Sequence, residues 1–135
     1  MSKFRGIIIT DKVLNDNEMN IFLNRYNSNN LDSLIDSFNP DSKFDYFIIG
    51  DINERDYIMR KNGEKVISEK IKNIDLNSFI DDSSQDLECI VDRYHWYTIA
   101  DLVKHNPGIT EKELLKEIFF SIDKEKVLTI VTFHF

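Results

Sequence analysis

The sequence predicts one α+β domain over 1–135, with helices packed on a largely antiparallel sheet. Three observations predict it. Two segments each begin with a capping box and continue with apolar residues at helical spacing. Several runs of four to eight residues are rich in Ile, Val, Phe and Tyr, the composition of strands. The closing run is apolar on both of its faces, which predicts a central strand. At 135 residues and 16.0 kDa the chain suits one core rather than two.

Phe4-Arg5-Gly6-Ile7-Ile8-Ile9-Thr10 reads as a buried strand. Asn15-x-x-Glu18 fits a capping box, and Met19, Phe22, Leu23 and Tyr26 follow at helical spacing, so a helix is predicted over 16–27. Leu31, Leu34, Ile35 and Phe38 predict a second short helix, ending before Asn39-Pro40 because the residue before proline avoids helical geometry. Phe44 to Gly50 is the strongest internal strand. Asn62-Gly63 between two strand-like runs predicts a hairpin with a type I′ turn. Ile71 to Ile74 predicts a short strand, Asp75 to Ile80 a helical turn, and Asp81 to Asp86 an acidic loop. Leu87 to Tyr97 has strand composition. A short helix is predicted over 99–105, stopped by Asn106-Pro107-Gly108. Thr110-x-x-Glu113 opens a helix over 110–122, with Leu114, Leu115, Ile118, Phe119 and Ile122 along one side. Val127 to Phe135 is the last strand.

Composition narrows the function classes. Hydrophobic residues make up 41% and charged residues 30%, which excludes wholesale disorder. No apolar run reaches the ~18 residues of a transmembrane helix, and the first residues lack a signal-peptide apolar core. A single cysteine, Cys89, can form neither an internal disulfide nor a cysteine-based zinc site, so a reducing cytoplasm is the expected compartment. The net charge of −7 disfavours direct nucleic-acid binding and suits docking onto a protein with a basic surface.

Candidate chemistry is sparse. His95, His105 and His134 have no metal-ligand spacing, and no metal or cofactor is expected. Alternation places Cys89 with Leu87 and Val91 on one buried side, the setting of an inert thiol rather than a nucleophile. Asp51-Ile52-Asn53-Glu54-Arg55-Asp56 begins like a calcium loop but lacks glycine at the sixth position and glutamate at the twelfth, so it reads as a solvated turn. Arg93-Tyr94-His95-Trp96-Tyr97 is the densest aromatic segment; its composition is that of a base-stacking surface, which Asp92 and Asp101 oppose, of an interface hot spot or of core packing. No P-loop, dinucleotide-binding loop, nucleophile elbow or metalloprotease helix is present in the sequence.

Asn39-Pro40-Asp41-Ser42-Lys43-Phe44-Asp45-Tyr46-Phe47-Ile48-Ile49-Gly50 resembles the central motif Asn-Pro-x-x-Lys-Trp-Asp-Trp-Tyr-x-x-Gly-Gly-Arg-Trp of an uncharacterised family of small phage and prophage proteins. The Met1-Ser2-Lys3-Phe4 start, Lys61-Asn62-Gly63, Lys72-Asn73-Ile74-Asp75 and the end Leu128-Thr129-Ile130-Val131-Thr132-Phe133-His134 are similar to other segments of that family. Asp51-Ile52-Asn53 stands where Gly-Arg-Trp would be. The resemblance implies a mobile genetic element and no particular activity.

Context and charge together predict a non-catalytic inhibitor of a host defence protein, of the anti-CRISPR kind, acting in the host cytoplasm. The expected interface comprises Asp81, Asp82 and Asp86 with an exposed aromatic among Tyr94, Trp96 and Tyr97. Alternatives from other classes are a small-ligand or nucleotide-binding protein, possibly enzymatic, with a pocket near Gly50 and the aromatic segment, and a toxin-immunity protein.

Overall fold

The computed structural model describes residues 3–28, 42–50, 57–83 and 87–135, with only the backbone of residues 82 and 83. The helix expected over 31–38 and the acidic turn at 51–56 lie outside them. The fold is the expected α+β domain, with four helices among the described residues on a mostly antiparallel sheet of six strands.

The central strand is the closing one, β8 (Val127–His134), with all eight residues buried. It lies between β1 (Lys3–Thr10) and the pair β2 (Tyr46–Ile49) and β5 (Ser68–Lys70), which sit end to end along its other side, all antiparallel to it. Beyond β1 come β6 (Leu87–Val91), parallel to β1, and the edge strand β7 (Trp96–Thr98). A separate hairpin joins β3 (Ile58–Met59) to β4 (Lys65–Val66).

Both capping boxes form. Asn15 Oδ1 accepts from Glu18 N at 2.8 Å to start α1 (Asp16–Leu23), and Thr110 Oγ1 accepts from Glu113 N at 3.2 Å to start α4 (Glu111–Ser121). Thr98 caps α3 (Ile99–Lys104). The 16–27 helix is shorter than expected, because the chain tightens into a 3₁₀ turn at Asn24–Tyr26.

Other expectations need correction. The segment 71–74 is a 3₁₀ turn (Ile71–Asn73) rather than a strand. The single turn at 75–80 is a full helix, α2 (Leu76–Ser83), which carries Asp81, Asp82 and Ser83 out of the expected loop; Asp75 Oδ1 accepts from Ser78 N and so opens it. Strand composition over 87–97 conceals a break, since Asp92 to His95 turns between β6 and β7. The Asn62-Gly63 hairpin forms, but Gly63 N bonds Arg60 O and Arg60 N bonds Glu64 O. The loop is therefore three residues long, with Gly63 (φ 90°) in the left-handed position that follows a type I turn.

A register shift between Arg5 and Gly6 opposes two residues, Glu88 and Cys89, to Gly6. This bulge separates Leu87 from Cys89. Leu87 joins Ile90 in the core under the helices, and Cys89 joins Val91 on the other side, so strict alternation misplaced Leu87.

Candidate functional site

The β6–β7 turn organises the aromatic segment. Asp92 Oδ1 accepts from the backbone N of Tyr94 and of His95, both at 2.8 Å, and Asp92 N bonds His95 O. Two backbone donors are satisfied by one carboxylate, the usual reason for aspartate at a tight turn. Alternation then sends Trp96 and Tyr97 to opposite sides of the sheet.

The three candidate rings divide accordingly. Trp96 is drawn inward, its ring centroid 4.9 Å from Phe133, 5.1 Å from Tyr26, 6.1 Å from Phe44 and 6.3 Å from Phe4. Tyr94 stands at the turn tip, 66% exposed, with the Arg93 guanidinium 5.5 Å from its ring. Tyr97 is 38% exposed, and the His95 ring stacks on it at 5.3 Å and 25°. Of the three rings, Tyr94 and Tyr97 are therefore the exposed ones, and Trp96 is half-buried against the aromatic core.

Tyr97 borders a cavity of about 250 Å³ whose walls are Ile9, Ile90, Leu102, Ile118 and Ile122, with Asp92 and Ser121 at the rim. A groove of about 320 Å³ adjoins it, sharing Ile9, Asp92 and Ile122 and adding Thr10, Asp11, Phe22, Arg93, Tyr94 and Lys126. The two open beyond the carboxyl ends of β1 and β6, the one parallel pair among the named strands. Lys126 bridges to Asp11 at this mouth, and that bond holds the Asp11 carboxyl below its ordinary range. Sequence reasoning marked Tyr94 and Tyr97 but missed the walls, since Ile9, Ile90 and Ile118 are indistinguishable in sequence from core aliphatics.

Asp81 lies elsewhere. Asp81 is exposed on α2 and paired with Lys112 Nζ at 2.5 Å, which lowers its pKa. Lys112 is near the start of α4 and Ile118 and Ile122 near its end, so the helix separates Asp81 from Tyr97 by roughly 9–15 Å of rise. The Asp82 side chain and the whole of Asp86 lie outside the described residues.

Other candidates resolve simply. Cys89 is buried, and desolvation pushes its thiol far up, away from a thiolate at neutral pH. His105 Nδ1 lies 2.7 Å from Asp101 O. Among the described residues, no group of three or more His, Cys, Asp or Glu is placed to hold a metal ion.

Residues 46–49 and 131–134 pair in β2 and β8. His134 Nδ1 lies 2.6 Å from Asp45 Oδ1, Asp45 N donates to His134 O, and the Tyr46 ring stacks on His134 at 4.4 Å and 16°. In comparisons with known proteins, no family model, no curated protein and no solved structure matches the chain. No described helix is long and apolar enough to cross a membrane.

Proposed function

We propose that this chain is a phage- or prophage-encoded, non-catalytic binding protein that inhibits a host defence protein in the anti-CRISPR manner. Tyr94 and Tyr97 are its anchor. The observation that carries this reading is the pair of exposed tyrosines set on a sheet-edge hairpin beside an apolar cavity. Tyrosines at the margin of an apolar depression have the composition and setting of interface hot spots. The net charge of −7 favours a partner with a basic surface, such as a nucleic-acid-handling complex. Asp81 lies outside the tyrosine patch, and its part is long-range steering rather than contact beside the rings.

The test is phage plating. Expression in hosts that each carry one active RNA-guided defence nuclease should restore plaques of a targeted phage for at least one nuclease type. The Tyr94→Ala/Tyr97→Ala double variant should lose that rescue at least tenfold while keeping its melting temperature. No rescue across the panel refutes inhibition of this kind. Full rescue by the double variant refutes the tyrosine anchor.

A further inference from the structure

The excess of acids is not uniform. Segment 57–75 holds five bases (Arg60, Lys61, Lys65, Lys70 and Lys72) against three acids (Glu64, Glu69 and Asp75), so the β3–β4 hairpin and the turn after it form a basic pole in an acidic chain. Beside this pole, between the 3₁₀ turn, the start of α2 and the end of α4, lies a cavity of about 360 Å³. That volume is within the ordinary range of small-molecule sites, about 300–1,000 Å³.

Its lining combines three ammonium groups with one aromatic ring. Lys61, Lys72 and Lys124 border the cavity, and Asp75 is the one carboxylate in its lining. Asp75 is engaged in receiving Ser78 N at the start of α2. Lys72 shares Glu125 with Lys70. Lys61 has no carboxylate partner among the described residues. Phe120 is 48% exposed at the rim, although a phenylalanine gains by burial. Lys124 Nζ donates to Phe120 O at 3.0 Å and lies 5.4 Å from the ring centroid. A flat apolar ring with one ammonium group beside it and two more in the same cavity wall matches a ligand that is aromatic at one end and polyanionic at the other.

The geometry points to a binding site for a nucleoside phosphate, with its base against Phe120 and its phosphates on Lys61 and Lys124. This site is independent of the tyrosine anchor. Phe120 and Lys124 project from one side of the α4 end, and Ile118 and Ile122 face the tyrosine cavity from the other. The net charge argues against a long nucleic-acid groove, so a free nucleotide is the expected source of this chemistry.

Isotope-labelled protein titrated separately with ADP and with a ten-nucleotide oligothymidylate tests the site by amide chemical shifts. ADP should perturb Lys61, residues 71–76 and Phe120 saturably, and the oligonucleotide should bind no more tightly. Tighter binding of the oligonucleotide at the same amides keeps the site and changes the source to a single strand. Lys61→Glu/Lys124→Glu should weaken ADP at least tenfold. Phe120→Ala should weaken ADP more than inorganic pyrophosphate. All three side chains are exposed, so the variants keep the fold. Absence of saturable shifts with either probe, or an unchanged affinity in the charge-reversed variant, overturns the proposal.

Discussion

The two sides of the sheet are built by different means. On one side lie Ile7, Ile90, Leu128 and Ile130, covered by Phe79 and Ile80 of α2, Ile99 of α3, and Leu115 and Phe119 of α4. That core is mainly aliphatic, and Phe79 with Phe119 is its one close ring pair, at 5.5 Å and 67°. On the other side Phe4, Tyr26, Phe44, Trp96 and Phe133 meet in a ring cluster, with Met19 and Leu23 of α1 beside it. Helices cover a surface with regularly spaced aliphatics. On the aromatic side large flat rings drawn from distant segments fill the space.

Truncating either core should give the largest effects. Phe119 and Phe133 are both fully buried. Phe119→Ala and Phe133→Ala should each cost about 3–5 kcal/mol, read from urea midpoints at constant m-value. Leucine separates the two sides. Phe133 has close ring neighbours in Phe4 at 5.3 Å, Phe44 at 4.9 Å and Trp96 at 4.9 Å, against one for Phe119. Each ring pair contributes about 0.5–1.5 kcal/mol beyond area burial. Phe133→Leu should therefore be the more damaging of the two leucine variants by about 1 kcal/mol or more. Equal losses would show that ring geometry adds nothing on the aromatic side.

The same contrast decides what could be read in the sequence. The helical side was legible because its information is local: Thr110-x-x-Glu113 followed by Leu114, Leu115, Ile118 and Phe119 specifies a helix and its buried side without reference to distant residues. The last strand was legible as central for the same reason. The aromatic side was not, because Phe4, Tyr26, Phe44, Trp96 and Phe133 each look like an isolated ring until the topology brings five segments together. That is why Tyr94, Trp96 and Tyr97 seemed equivalent, and why the cavity walls beside Tyr97 went unseen. The bulge at Glu88 hid in the same way, since pairing irregularities depend on the partner strand. Asp81 was assigned to a loop on polarity, but α2 gains its stability from Phe79 and Ile80 packed in the core, which outweighs the weak helix propensity of Asp and Ser.

A smaller effect is expected where the aromatic side presses on the sheet itself. A Cβ built on Gly6 would lie 2.5 Å from Cys89 Sγ and 2.9 Å from the Phe133 ring. Both atoms belong to a fully packed cluster with little room to yield. Gly6→Ala should destabilise by about 1–3 kcal/mol through overpacking. Removing the sulfur should relieve part of this, so Cys89→Ala and Gly6→Ala should be less than additive in a double-mutant cycle. Strict additivity would mean that Phe133, and not the thiol, takes up the strain.

The smallest and most local effect lies at the end of the helical side, where aliphatic packing gives way to polar contacts. By alternation from Ile130, Thr132 and His134 point the same way as the helical core, yet their partners are polar: Thr132 Oγ1 donates to Gly50 O at 2.8 Å, and His134 Nδ1 lies 2.6 Å from Asp45 Oδ1. The hydrogen bond with His134, and secondarily its charge, holds the Asp45 carboxyl below the ordinary value. A lowered folded-state pKa means that the contact contributes fully above the unfolded carboxylate value of about 4, and is lost as pH falls through the folded value. Between pH 6 and pH 3 the amides of β2, which is held by β8, should therefore lose exchange protection before those of β1, which is flanked by β6 and β8. Asp45→Asn should abolish that difference while leaving the exchange of the two cores unchanged. If β2 and β1 lose protection together in the native chain, the Asp45–His134 contact does not secure this edge.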